Sequence, residues 1–209
     1  MGMEECYNEI KRHPMGKKQQ QRGEYPFMIL FINACVRKES RTKRLAERLL
    51  AKKEDPIAEV RLEEIPFPIV DEAFLKRRDH LIQTEAFDDP MFALARQFAS
   101  AGEILIAAPF WDLSFPAALK QYLEQINVLG LTFSYTPEGI PQGLCKAKKL
   151  TFVTTAGGDF VPEEYGFGYV KALAQNFYGI KEVTLVKAIG LDIAGRDPEA
   201  ILDSVSLDQ

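Results

Sequence analysis

The chain has 209 residues, of which 46% are hydrophobic and 27% are charged. These proportions are typical of a folded globular protein and exclude a wholly disordered or fibrous chain. The 26 basic and 30 acidic side chains are interspersed and give a net charge of -4, which argues against nucleic acid as a partner. No apolar run approaches the roughly 20 residues that span a bilayer, and the N-terminus lacks the apolar segment of a signal peptide. We therefore expect a cytoplasmic protein that does not bind a membrane.

The cysteine and histidine content predicts neither a disulfide framework nor a metal site. Cys6, Cys35 and Cys145 are odd in number and widely spaced, and His13 and His80 are the only histidines.

Residues 1–24 differ in composition from the remainder of the chain. They include a run of lysine, glutamine and arginine without sustained periodicity, and we expect a mobile N-terminal extension. A helix over residues 4–12 is the alternative. Residues 25–209 are predicted to form one domain.

The remaining pattern alternates strands and helices. In chain order it predicts a strand at 27–32, a helix with the stripe Leu45, Ala46, Leu49 and Leu50, a weaker strand at 57–62, an ambiguous stretch at 71–89 with short helical pieces, and a helix after Asp89-Pro90. A strand at 103–108, a helix from Pro116, a strand at 150–155, a long helix at 162–178, a strand at 183–189 and a helix after Asp197-Pro198 follow. Because parallel strands need crossover connections, this alternation favours a three-layer α/β fold with a five-stranded parallel sheet and helices on both faces.

Ligands of an open parallel sheet bind at the carboxyl ends of the strands, so the loops after the first, third and fourth strands are candidates. The first loop, residues 33–42, contains no glycine, which excludes the dinucleotide fingerprint and the glycine-rich phosphate loop. A helix N-terminus flanked by Ser40, Arg41 and Thr42 can nevertheless hold a monophosphate. The alternative is that Ser40 only caps the helix.

The second and third loops suit a flat ligand. Phe110, Trp111 and Phe115 follow the third strand and favour a planar heteroaromatic group, although they could instead complete the core or form a dimer surface. Gly157 and Gly158 follow the fourth strand and allow backbone N–H groups to approach a ligand closely. By themselves the two glycines are only a turn signal.

Several segments resemble the flavodoxin-like FMN-dependent NADH azoreductases and the related NAD(P)H quinone dehydrogenases. The most specific are Ala108-Pro109-Phe110-Trp111-Asp112-Leu113, Gly130-Leu131-Thr132-Phe133-Ser134-Tyr135-Thr136 and Thr155-Ala156-Gly157-Gly158. The likeness extends from about Phe27 to near the C-terminus. It implies the strand order 2-1-3-4-5, an FMN cofactor, NADH or NADPH as reductant, a quinone or azo compound as acceptor, and a homodimer.

The resemblance also implies which residues bind the cofactor. Asn33, Ser40, Arg41 and Thr42 would surround the phosphate, Pro109, Phe110, Trp111, Asp112 and Leu113 would lie along the isoalloxazine, and Thr155, Ala156, Gly157 and Gly158 would meet its pyrimidine side. The family often has Ser where Asn33 stands and Asn where Asp112 stands. Because an ionised aspartate only accepts hydrogen bonds, a donor at that position has to be its backbone N–H.

The implied activity is a two-step hydride transfer through the flavin, which requires no catalytic side chain. Two alternatives remain at this stage: an FMN-binding electron carrier that does not turn over NAD(P)H, and a flavin-free scaffold with the same fold. Electron carriers usually have a strongly acidic docking face, whereas a charge of -4 is mild.

Overall fold

A computed structural model of the protein describes residues 27–207. Its main sheet contains five parallel strands, β1 (Ile29–Asn33), β2 (Ile57–Arg61), β3 (Glu103–Ala107), β6 (Lys149–Thr155) and β7 (Glu182–Ala188), in the order β2-β1-β3-β6-β7. A separate antiparallel hairpin comprises β4 (Phe133–Tyr135) and β5 (Pro141–Gly143). The main sheet confirms the expected order 2-1-3-4-5, because the hairpin strands only shift the numbering.

Helices cover both faces of this sheet. They are α1 (Arg41–Leu50), α2 (Glu72–Gln83), α3 (Ala93–Ser100), α4 (Ala117–Ile126), α5 (Phe167–Leu173) and α6 (Pro198–Ser204). Short 3-10 turns occupy Leu62–Glu64 and Pro90–Phe92, and a π-helical turn, Ala174–Tyr178, continues α5. None of the helices within residues 27–207 is long and apolar enough to cross a membrane.

The alternation of side chains along β1 divides the core into two layers. Leu30 and Ile32 pack with residues of α3, α4 and α5 on one face. Ile29 and Phe31 pack with residues of α1 and α6 on the other. All five β1 side chains are buried, as expected for a strand covered on both faces, and this explains the continuous apolar run in its sequence.

Two helix predictions differ from the structure. The stretch 71–89 contains a continuous twelve-residue helix, α2, which lacks a fully buried side chain and therefore has no clear apolar stripe. The helix predicted for 162–178 begins only at Phe167. The residues before it form a loop that contacts two other parts of the chain. The Ser114 hydroxyl donates to the Tyr165 carbonyl at 2.8 Å, and Lys187 of β7 forms an ion pair with Glu163.

The hairpin of β4 and β5 was not predicted from the sequence. Its strands have three residues each, too short for an alternating pattern to be recognised. It packs against the π-helical turn, where the ring of Phe133 meets that of Phe177 edge-on at 4.8 Å between centroids. The predicted N-terminal extension, residues 1–24, lies outside the described residues.

Candidate functional site

A cavity of about 370 Å³ opens at the carboxyl edge of the sheet. Its volume lies in the range of about 300–1,000 Å³ that is typical of small-ligand sites. Four chain segments line it, and their contributing residues are Cys35, Val36, Arg37, Glu39, Ser40, Arg41, Thr42, Pro109, Phe110, Trp111, Thr155, Ala156, Gly157, Leu191 and Asp192. The three loops selected from the sequence therefore converge on one space.

The N-terminus of α1 forms one end of this cavity. The Ser40 hydroxyl oxygen accepts from the backbone N–H of Lys43 at 3.2 Å, so Ser40 is the helix cap that the sequence left as an alternative. Within residues 27–207, the N–H groups of Arg41 and Thr42 have no acceptor. Together with the positive end of the helix dipole and the Arg41 guanidinium, these two donors favour an anion.

A buried pair of hydroxyl groups connects this helix end to the sheet. The Thr42 and Thr155 hydroxyl oxygens are 2.6 Å apart, and both side chains are buried. Each hydroxyl group has one proton. One of the two donates in this hydrogen bond, and the proton of the accepting hydroxyl is left to donate to another group. The contact places the loop after β6 at a set distance from the start of α1.

Pro109, Phe110 and Trp111 form the apolar side of the cavity. The Phe110 N–H donates to the Thr155 carbonyl at 3.0 Å, which fixes the loop after β3 against β6. Trp111 and Ser114 exchange two backbone hydrogen bonds, of 3.1 and 2.7 Å, and close a two-residue turn.

That turn contains Asp112 and Leu113 at positive φ angles of 49° and 66°. A left-handed conformation at a non-glycine residue costs about 1–2 kcal/mol, and such strain is found preferentially at functional sites. Both side chains are exposed and neither belongs to the cavity lining. The structure therefore brings Trp111 to the cavity but not the side chains of Asp112 and Leu113.

The loop after β6 contributes its two glycines differently. The Gly157 carbonyl accepts from the Asp192 N–H at 2.9 Å, and the Gly158 carbonyl accepts from the Gly190 N–H at 3.0 Å. Among the described residues, no group accepts from the N–H of either glycine. Gly157 lines the cavity with Thr155 and Ala156, whereas Gly158 is exposed outside the lining.

Asn33 lies outside the lining as well, in contrast to the expected place around an anion. It is the last residue of β1, one position beyond the predicted strand end, and pairs with Arg61 and Ala107. Its side-chain amide donates to the Glu59 carboxylate at 2.8 Å, and its side-chain oxygen accepts from the Cys35 N–H at 3.0 Å. Asn33 therefore shapes the turn that leads to the cavity.

The fourth segment of the cavity lining, Leu191 and Asp192, was not predicted from the sequence. These residues follow β7, and the Asp192 carboxylate receives a hydrogen bond from Arg41 at 2.7 Å between Nη1 and Oδ1. The rule that directed attention to three strand ends would have found them if applied to the fifth strand as well.

Cys35 also lines the cavity, and its thiol is less acidic than that of an ordinary cysteine. Burial away from water raises the pKa of its thiol to about 11, because the thiolate would lose its hydration. The thiol is consequently protonated at neutral pH. At the outer edge, the Arg196 guanidinium lowers the pKa of the Asp159 carboxyl by hydrogen bonding, and the pair joins the loops after β6 and β7.

The fold and this cavity define a three-layer α/β protein with a candidate ligand site formed by strand-end loops and one helix N-terminus. A family model described as the flavodoxin-like fold matches residues 28–206. The chain belongs to this family.

Relatives within the family share a consistent description. An FMN-dependent NADH:quinone oxidoreductase of Lachnoclostridium phytofermentans is 34% identical over 183 residues, which cover 82% of this chain and 90% of that protein. An FMN-dependent NADH:quinone oxidoreductase 2 of Clostridium acetobutylicum is 43% identical over 125 residues, covering 57% of this chain and 62% of that protein. The structure of an azoreductase from Bacillus anthracis superimposes with a TM-score of 0.73 at 25% identity, over 85% of this chain and 93% of the other.

Proposed function

We propose that this protein is an FMN-dependent NAD(P)H oxidoreductase that reduces quinones or azo compounds. The observation that carries the proposal is one cavity with an anion-binding end at α1 and a flat apolar side at Phe110 and Trp111. The names of the relatives, in which FMN, NADH and quinone recur, support the same function.

The residues at the start of α1 fit a phosphate. The N–H groups of Arg41 and Thr42, which have no acceptor in the described part of the chain, supply donors, and the Arg41 guanidinium supplies charge. Ser40 contributes indirectly, because its hydroxyl oxygen is committed to capping the helix. Arg37 lies exposed at the rim and adds to the positive potential there.

The residues at the other end fit a flat heteroaromatic ring. Pro109, Phe110 and Trp111 offer an apolar surface. Gly157 offers to polar atoms on a ring edge a backbone N–H that no group in the described ranges accepts from. Asp112 can contribute only its backbone N–H as a donor.

FMN, when bound, supplies the redox chemistry by accepting a hydride from NADH or NADPH and returning it to the acceptor. The protein's part is to hold the ring at a fixed place and leave one side of it accessible. Cys35 takes no nucleophilic part, since its thiol is protonated at neutral pH.

We further propose a homodimer in the cytoplasm, with residues 25–209 as the FMN-binding domain and 1–24 as an extension. The exposed side chains of Trp111 and Leu113, at 38% and 45% accessibility, supply apolar area for a subunit contact beside the cavity. The free thiols of Cys35 and Cys145 are typical of a reducing compartment.

Light scattering at micromolar concentration with FMN present is expected to give the mass of a dimer, and a monomer mass would contradict the subunit proposal.

The function is tested by the absorption spectrum of the purified protein. We expect bound flavin, bleaching of its visible bands on anaerobic addition of NADH or NADPH, and steady NADH oxidation with menadione as acceptor. Bound flavin that NADH and NADPH leave oxidised would indicate an electron carrier. Protein that neither retains nor binds FMN would indicate a flavin-free scaffold, and either result overturns the proposal.

The two glycines after β6 offer a matched pair of substitutions. A Cβ atom at Gly157 would lie 2.3 Å from Asp192 Oδ2, whereas a Cβ atom at Gly158 would meet nothing within 4 Å. All the nearest atoms belong to the Asp192 side chain, so Gly157→Ala displaces that side chain in the cavity lining, and we expect FMN affinity to fall about tenfold, equivalent to about 1.4 kcal/mol. Gly158→Ala is expected to bind FMN as the wild type does. Fluorescence titration of both variants checks this, and equal affinities would contradict it.

A further inference from the structure

Three arginines on one face of α1 each pair with an acidic residue of the C-terminal segment. Arg41, Arg44 and Arg48 follow the helical spacing of three and four residues. Arg41 Nη1 lies 2.7 Å from Asp192 Oδ1, Arg44 Nη1 lies 3.0 Å from Glu199 Oε1, and Arg48 Nη1 lies 3.3 Å from Asp203 Oδ1. Only the first of these pairs lines the cavity. The others hold α6 against α1 outside it.

The backbone of Leu191 and Asp192 is held against the loop after β6, although the Asp192 carboxylate is exposed. The Asp192 N–H donates to the Gly157 carbonyl at 2.9 Å, and the neighbouring Leu191 N–H donates to the Ala156 carbonyl at 3.2 Å. Leu191 is itself buried. The carboxylate lies in the space that a side chain at position 157 would occupy, because a Cβ atom on Gly157 would lie 2.3 Å from Asp192 Oδ2. Asp192 thus presents an acceptor from a position set by main-chain contacts.

The pairing with Asp192 uses only part of the Arg41 guanidinium. Nη1 donates to the carboxylate, while Nη2 and Nε have no acceptor among residues 27–207. A guanidinium presents five N–H donors in a planar fork. One contact at Nη1 therefore restricts the orientation of the side chain and leaves donors free for a second anion.

We propose that Asp192 is a positioning residue, which holds Arg41 in the orientation that receives the ligand phosphate. This inference rests on the proposed function, because the phosphate is that of FMN. Arginine has many rotamers, so ordering it before binding lowers the entropic cost of the phosphate contact. Because the ion pair is exposed, we expect its loss to change the free energy of unfolding little.

The carboxylate also repels the phosphate, and two substitutions separate repulsion from positioning. Asp192→Asn keeps an oxygen that accepts from Arg41 and removes the charge. Asp192→Ala removes both the charge and the acceptor. If positioning dominates, alanine weakens binding and asparagine restores it. If repulsion dominates, both variants bind FMN more tightly than the wild type.

The experiment titrates flavin-free protein with FMN and with riboflavin, which lacks the phosphate, and follows flavin fluorescence. We expect Asp192→Ala to bind FMN about three- to tenfold more weakly, a loss typical of ordering one long side chain. Riboflavin affinity is expected to stay unchanged in that variant, and Asp192→Asn is expected to bind FMN at least as tightly as the wild type. Glu199→Ala is the control, since it removes another ion pair between α1 and the C-terminal segment, one that does not line the cavity, and it is expected to bind both ligands normally.

Several results would overturn the inference. Wild-type FMN affinity in Asp192→Ala, tighter binding in that variant, or an equal loss for riboflavin would each exclude positioning of Arg41 toward the phosphate. An equal effect of Glu199→Ala would assign the loss to docking of the C-terminal segment instead. Failure of the wild type to bind FMN would overturn the proposed function itself, which is a distinguishable outcome.

Discussion

Replacing Arg41 with alanine is expected to weaken FMN binding by about 10- to 100-fold, because hydrogen bonds from a charged group contribute about 1.5–3 kcal/mol. Arg41 is the first residue of α1 and lines the cavity at a helix end where, over residues 27–207, two backbone N–H groups have no acceptor. Its guanidinium adds to the helix dipole at the place where we expect the phosphate. Titration with FMN followed by flavin fluorescence measures the loss.

Arg44→Ala is the control for this variant. Arg44 belongs to the same helix and also forms an ion pair, but it does not line the cavity. We expect it to bind FMN normally, and we expect Arg41→Ala to bind riboflavin as the wild type does. An equal loss for FMN and riboflavin in Arg41→Ala would show that the variant damages the cavity as a whole and would contradict a phosphate contact.

Gly143→Ala is expected to lower the free energy of unfolding by about 3 kcal/mol or more, at the upper end of the cost of overpacking. A Cβ atom there would lie 2.1 Å from the Gly179 backbone nitrogen and 2.2 Å from the Tyr178 backbone carbonyl carbon. Backbone atoms cannot rotate away as a side chain can, so the hairpin has to separate from the π-helical turn. Equilibrium unfolding in urea measures the change.

Gly139→Ala separates this steric effect from conformational strain within the same hairpin. Gly139 has a φ of 80°, and a Cβ atom there would meet nothing within 4 Å. Only the cost of a left-handed alanine is expected, about 1–2 kcal/mol. If Gly143→Ala destabilised the protein no more than Gly139→Ala, the close approach of the hairpin to Gly179 would be refuted.

Short local signals account for the predicted site residues that line the cavity. Ser40, Arg41 and Thr42 stand at a helix start, Phe110 and Trp111 follow a buried strand, and all five line the cavity. Asn33 was placed differently because the strand continues through it. Its side chain is hydrogen-bonded to the Glu59 carboxylate and to the Cys35 N–H, which keeps it out of the cavity lining.

Contacts between distant segments account for what was missed. Asp192 lies 151 positions from Arg41 in the chain, and no local pattern links the two. The turn at Asp112 and Leu113 was missed for another reason. Leucine rarely adopts positive φ, and an aspartate, although it tolerates that conformation better, does not predict such a turn by itself.

The sequence by itself determined the three-layer class, the five strands and the helix start that favours an anion, since these follow from apolar periodicity and local capping chemistry. Tertiary structure alone decided which side chains face the cavity, that α1 pairs with the C-terminal segment, and that a short hairpin lies against a π-helical turn. The physical reason is range: periodicity and caps act over a few residues, whereas the walls of this cavity meet only after the parallel sheet has brought four strand ends to one edge.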